Sequence, residues 1–266
     1  MVSSLNDRIK IDRDGKGLDI HLSIQYILNC GYDSAGSCHG GSAEGAFDFI
    51  QTSGLIPFES VQPYEACSRE STEDPYAPGT GCGAQRDYSC NALNTARTCS
   101  TFADSGGECV ALNAFPNATV AEWGMVQGEE LMLAEIYARG PIACGIDADG
   151  IDKYMGGIVS DDSPFGINHV VSVVGWGLDA ATQKKFWIVR NSWGEAYGEM
   201  GFFRIERGSN TLGIEADCAW GIPGSYTTSN FPCWEDGGNC QVKAEYKAGP
   251  NHVAGAVARK MGRKAI

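Results

Sequence analysis

Two polar side chains, His169 and Asn191, each stand at the edge of an apolar run. Asn168-His169 opens the run Val170-Val171-Ser172-Val173-Val174-Gly175-Trp176-Gly177. Phe186-Trp187-Ile188-Val189-Arg190 leads into Asn191-Ser192-Trp193-Gly194. An imidazole is the side chain that gains and loses a proton near neutral pH. An amide oxygen that accepts one ring N–H fixes the tautomer and the ring plane, and leaves the other nitrogen free to take a proton from a thiol. Such a pair handles protons and does not itself attack, so a nucleophile has to complete it. Trp193 can cover the hydrogen bond and strengthen it by keeping water away. Either residue alone reads as an ordinary strand start or turn. The joint pattern, with both tryptophan–glycine units, carries the argument.

The pair needs two strands to bring it together. Val170 to Trp176 is apolar and β-branched and reads as a buried strand. Phe186 to Val189 reads as a second, ended by the Asn-Ser-Trp-Gly turn. If the two are antiparallel neighbours, His169 comes to lie beside Asn191. Helical signals run over Asp19–Leu28, over Ala43–Thr52 behind Ser42, and over Glu129–Arg139 ahead of Gly140-Pro141. Residues 67–109 are irregular and cysteine-rich.

The two arms resemble those of the papain-like cysteine peptidases. Further segments resemble the cathepsin X (cathepsin Z) branch of that family: Asp7-Arg8-Ile9-Lys10-Ile11, Leu22 to Gly31, Ser37-Cys38-His39-Gly40-Gly41, Met132 to Ile146, Tyr154 to Ile158, and Gly213 to Cys218. The resemblance runs from about Leu5 to Pro223. It implies an α+β, two-lobed fold with a helical lobe over 1–113, a β-barrel lobe over 114–223, and a C-terminal extension over 224–266. Its cleft would hold an extended peptide. It implies a cysteine-type peptidase, possibly a carboxypeptidase, in which His169 holds the thiolate and protonates the leaving amine while Asn191 orients it. Gly40, Gly41, Asn168, Trp193 and Asp217 would lie along the substrate, with Asp217 at the floor of the pocket that reads the second residue and favouring a basic side chain there. It pairs Cys30 with Cys67 and Cys144 with Cys218. The triplet Asn117-Ala118-Thr119 is a glycosylation acceptor, and the branch carries a similar one before the same helix.

The nucleophile segment of Cys-Gly-Ser-Cys-Trp type does not occur between Met1 and Ile266. By the resemblance, Met1 falls inside the central helix, about five residues past that place. The oxyanion-hole glutamine and the branch's short histidine-containing insertion would also lie upstream. A truncated sequence is therefore expected, and residues 1–266 alone are expected to be inactive and to fold poorly. The alternative is a non-catalytic pseudopeptidase that binds peptides or a protein partner. Cys38 is a rival nucleophile, but Gly40-Gly41 follows it where a helix N-terminus would be needed, and no aromatic residue stands next to it.

There are 11 cysteines and 4 histidines. With no Cys-x-x-Cys, that balance favours disulfides over metal sites, and neither a metal nor a cofactor is expected. Cys82, Cys90, Cys99 and Cys109 are expected to pair among themselves, and Cys233 with Cys240 to close a small loop. Cys38 is left over, because its family partner would precede the nucleophile. Disulfides point to a lysosomal, vacuolar or secreted protein, although Met1 to Asp7 lacks the apolar stretch of a signal peptide. The net charge of −13 argues against nucleic-acid binding. No run reaches membrane-spanning length, and a monomer acting on peptide or protein substrates is expected. Ala254 to Ile266 reads as a solvated or processed tail, or as a short amphipathic helix.

Overall fold

A computed structural model describes residues 1–68, 87–100, 107–161, 164–229 and 231–241. The chain packs as two compact units, Met1–Leu18 with Trp123–Ile222, and Asp19–Glu122 with Pro223–Ile266.

In the first unit the start of the strand Cys218–Tyr226, then Ile142–Ile146, His169–Leu178, Lys185–Arg190, Phe202–Glu206 and Ile158–Val159 lie side by side in that order. All neighbours are antiparallel except the last pair. The expected strands are thus present, each slightly longer than its apolar run. Alternation decides which face is buried. Trp187 and Val189 point to one side, opposite Ile205 and Phe203 on the next strand, and all four are fully buried. Cys144 pairs with Val171 and with Cys218, which puts the expected Cys144–Cys218 disulfide across two neighbouring strands.

The helix Glu129–Arg139 begins and ends where the sequence indicates. Glu129 and Glu130 lie at its positive end and Arg139 at its negative end. It buries Met132, Glu135 and Ile136, the i, i+3, i+4 stripe of an amphipathic helix.

The helix Val2–Asp12 also belongs to this unit, which differs from the expected grouping of residues 1–113 in one lobe. Arg8 supplies the reason. It is 2% exposed, and its guanidinium donates to the carbonyls of Pro141 (2.7 Å), Gly140 (3.0 Å) and Gly221 (3.3 Å) and to Glu135 Oε1 (2.8 Å). A buried guanidinium needs partners for its donors, and all of these lie far along the chain. Glu135 also takes Arg139, whose guanidinium sits 4.4 Å over the Trp220 ring.

The second unit is built of shorter pieces. Helix Ile24–Cys30 starts later than expected, because Leu22 still bridges to Phe58 and Ser23 caps the helix by accepting the Tyr26 N–H at 3.0 Å. Ser42 caps Ala43–Ser53 through the Gly45 N–H, and Gly54 ends it in the left-handed conformation, φ +75°. The short helix Ala92–Thr95 lies against Ile24–Cys30, where Asn29 donates to the Asn94 carbonyl at 3.0 Å. That contact brings Cys90 beside Cys30. The disulfide is Cys30–Cys90, not the expected Cys30–Cys67. Cys67 is itself disulfide-bonded and buried. Cys99–Cys109 closes a hairpin in which the two residues face each other, so Cys90 departs from the expected pairing within residues 82–109. Cys82 lies outside the described residues.

Cys233–Cys240 forms as expected. Residues 224–241 are part of this unit: the Thr227 N–H donates to the Asn117 carbonyl and the Asn113 N–H to that of Cys240, both at 2.9 Å. The expected tail at 254–266 lies outside the described residues. Asn117 is 6% exposed, and its Nδ2, the atom a glycan would occupy, donates to the Phe115 carbonyl at 2.9 Å. An expected glycan at Asn117 would have to start from this largely buried side chain. Among the described residues, no helix is long and apolar enough to cross a membrane.

Candidate active site

The site of the first unit follows from strand register. His169 is the first residue of its strand and sits opposite Ile146, while Arg190, the last residue of the next strand, faces Ser172. Asn191 follows at once, and its backbone N–H donates to the Gly201 carbonyl at 2.9 Å. Strand start and strand end therefore meet. His169 Nε2 lies 2.9 Å from Asn191 Oδ1. An amide oxygen only accepts, so this geometry assigns the proton to Nε2. Nδ1 makes no hydrogen bond among the described residues and is the nitrogen left for a thiol.

Asn191 is 8% exposed, and its Oδ1 also accepts the Ser192 N–H at 2.8 Å. Two donors on one oxygen hold the amide with that oxygen toward the imidazole. Trp193 stacks on His169 with ring centroids 5.1 Å apart and planes 30° apart. It is 42% exposed, so it roofs one face of the pair and keeps its own outer face in solvent.

Other expected site residues are placed differently. Asn168 precedes His169 in the chain, but its side chain is engaged elsewhere: Oδ1 accepts the Ala148 N–H at 2.8 Å, and Nδ2 lies 3.4 Å from both Asp147 and Asp149 carboxylates. It fixes the turn at 147–149. The Asp217 carbonyl accepts the Gly145 N–H at 2.7 Å, which ties the residue to the strand that pairs with His169. Gly40 and Gly41 belong to the second unit, in a small hairpin with Gly36–Ser37. A side chain on Gly41 would overlap the Ala35 carbonyl, whereas one on Gly40 would meet nothing. Cys38, at the tip of that hairpin, is exposed and is the free cysteine among the described residues. The nearest following helix starts at Ala43, so no helix dipole acts on this thiol directly.

One residue of the site went unread in the sequence. Tyr197 meets Trp193 edge-on, with centroids 4.9 Å apart. A tyrosine four residues past a tryptophan in a glycine-rich turn gives no periodic signal that marks it.

Residues 1–222 match the sequence profile of the papain family cysteine proteases. Cathepsin Z of Onchocerca volvulus is 34% identical over 229 residues, which cover 83% of this chain and 66% of that protein. Vignain of Vigna mungo is 30% identical over 213 residues, 79% of this chain and 48% of its own length. The chain thus spans less than two thirds of either relative. Among solved structures, the bromelain protease from Ananas comosus in complex with the E64 inhibitor superposes with a TM-score of 0.58 at 25% identity, covering 83% of this chain and 85% of the other. Digestive procathepsin L 3 of the Tenebrio molitor larval midgut gives 0.57 at 26% identity, with 81% and 59% covered. A match that runs through residues 1–222, both arms of the histidine–asparagine pair included, makes this chain a member of the papain family of cysteine proteases.

Proposed function

We propose that this chain serves a cysteine-type peptidase of the cathepsin Z kind, with His169 as its proton carrier. The observation that carries the reading is the 2.9 Å contact of His169 Nε2 with Asn191 Oδ1 under the Trp193 ring. His169 Nδ1 takes the proton of a thiol. The thiolate attacks the peptide carbonyl carbon, and the imidazolium returns the proton to the leaving amine. Water then cleaves the thioester, with the same nitrogen acting as base. Throughout, Nε2–H stays on Asn191, whose oxygen stabilises the imidazolium when it forms.

Support for an extended peptide substrate comes from Gly40, where the backbone has no side chain over it and open space beside it. A carboxylate at Asp217 favours a basic side chain in the substrate. The disulfides of the described residues suit an oxidising compartment, lysosomal or extracellular.

The test is labelling of the full-length protein from its source with a peptidyl epoxide that alkylates papain-type thiolates, followed by peptide mapping. A label on a cysteine in sequence other than residues 1–266 supports the reading and identifies the nucleophile. A label on Cys38 assigns the attack to that residue instead. No label and no peptide hydrolysis overturn the peptidase reading and leave peptide binding without turnover. In an enzyme that takes the label, His169→Ala of the unlabelled protein should lower kcat about 10²–10⁴-fold, the range of a lost general acid–base.

A further inference from the structure

Residues 231–241 lie past the family match, and the peptidase reading assigns them no part. Cys233–Cys240 closes them into a small loop that is also braced from within. Asn239 Oδ1 accepts the Trp234 N–H at 2.8 Å, and Asp236 Oδ1 accepts the Gly238 N–H at 2.9 Å. The Gln241 N–H donates to the Gly237 carbonyl at 2.9 Å. Gly237, at φ +71°, is buried against Val110, and any side chain there would overlap it. The loop is thus set down on the hairpin that Cys99–Cys109 closes. This framework holds Trp234 outward, 65% exposed. A large aromatic side chain that a fixed loop keeps in water loses little freedom when it gains a partner.

Val110 also lines a cavity of about 350 Å³, within the size range of ligand pockets. Ala92, Leu93 and Ala111 supply the rest of its apolar wall, and Gln241 stands at its edge. Carboxylates surround it. Asp87 accepts Asn91 Nδ2 at 2.9 Å, Glu108 precedes Cys109, and Glu235 and Asp236 are exposed on the loop. Across residues 87–111 and 231–241 the sequence holds one cation, Arg97, and it is paired with Glu65. An apolar hollow, an exposed indole and four carboxylates select a segment that combines apolar side chains with cations. Cations are drawn both to carboxylates and to the face of an indole.

The chain contains such a segment. Residues 254–266 carry Arg259, Lys260, Arg263 and Lys264 and no acid, with Val257 and Met261 among them. Gln241 stands at the cavity itself, 16 residues before Val257. A stretch of that length spans up to about 50 Å, so reach is ample. Tethering makes the contact intramolecular, with an effective concentration in the millimolar range, so individually weak contacts suffice. We propose that the cavity and the Trp234 loop form a docking surface for residues 254–266 of the same chain. Val257 or Met261 enters the cavity, and the cations meet Trp234 and the carboxylates. The proposal does not depend on the peptidase reading.

The test is carbodiimide coupling of the full-length protein, which joins a carboxylate to a lysine amine only where the two touch. Peptide mapping of the monomer should find an amide between Glu235 or Asp236 and Lys260 or Lys264. Trp234→Ala should lower that coupling, and quicken tryptic cleavage after Arg259 and Lys260, about two- to fivefold, the size of an exposed cation–π contact. Glu235→Gln together with Asp236→Asn keeps the side-chain volumes and should quicken the cleavage likewise. This second variant decides if Trp234→Ala disturbs the loop. No such amide in the monomer, or cleavage unchanged in both variants, overturns the proposal. Coupling found only between two copies gives the surface to a second copy and overturns it too. None of these readouts uses peptide hydrolysis, so a failure here and a failure of the peptidase reading are told apart.

Discussion

In the unit that carries His169, strands of 10, 6 and 5 residues share one continuous buried face, and a single disulfide among the described residues, Cys144–Cys218, joins two further strands of the same sheet. In the unit that carries Cys38, most elements run 2 to 7 residues, and disulfides and side-chain amides replace long ladders. Gln25 joins Asn29 and the Cys67 carbonyl, and Asn94 reaches the carbonyls of Asp87 and Ser89. A sheet that buries a row of apolar residues stabilises through area removed from water. Irregular chain has no such row, so its backbone polar groups must be met one by one by side chains, and its loops closed covalently. The His169–Asn191 pair sits on the first kind of framework, where strand register brings its two members together.

The contrast can be broken from either side. The largest effect is expected from Glu135→Leu, which leaves Arg8 as an uncompensated buried charge and should cost roughly 3–5 kcal/mol. Amide exchange should quicken across His169–Leu178 and leave Ala43–Ser53 unchanged. Equal loss in both would mean the two units unfold together. Replacing Cys30 and Cys90 with serine should cost roughly 2–5 kcal/mol, and here Ile24–Cys30 and Ala92–Thr95 should lose protection. A smaller change, about 1–3 kcal/mol, is expected for Asn94→Ala, because the Asp87 and Ser89 carbonyls both lose their donor; urea titration of the pair of proteins reads it.

The smallest effect is a pH dependence in the strand unit. The Arg204 fork, at 2.7–3.2 Å, holds the Glu199 carboxyl below its ordinary range. A lowered carboxyl contributes stability that is present above its unfolded pKa and is lost as pH falls through the folded one. Stability should therefore decline on acidification below the ordinary carboxylate range. Glu199→Gln should flatten that decline, and a melting series over pH shows whether it does. Asp87, lowered mainly by hydrogen bonds from Ser89, is the matching group of the other unit.

The sequence made the histidine strand, its neighbour and the helix Glu129–Arg139 legible because each carries its own period and its own stop. The contact of His169 with Asn191 followed from those strands without further information. Cys30–Cys90 was not legible, since pairing depends on where Asn29 and Asn94 bring two short helices together. The place of Val2–Asp12 was hidden for a like reason. Only the family resemblance implies a helix there, and Arg8 finds its acceptors 127 to 213 positions away. Burial of Asn117 was equally invisible, because a three-residue acceptor pattern says nothing of the strand that encloses it. Tyr197 was missed because its place beside Trp193 comes from what surrounds it, not from any spacing.

His169 and Asn191 meet at one end of their hairpin, and the chain between them turns at the other. The turn is sealed locally: the Asp179 N–H donates to the Lys184 carbonyl at 2.9 Å, and the Asp179 side chain caps Ala181 and Thr182. Ten strand residues put that turn about 30 Å from the imidazole. Extra residues spliced in at 180–183 would thus enter far from the His169–Asn191 pair, which makes this turn the place to carry an epitope or a fluorophore.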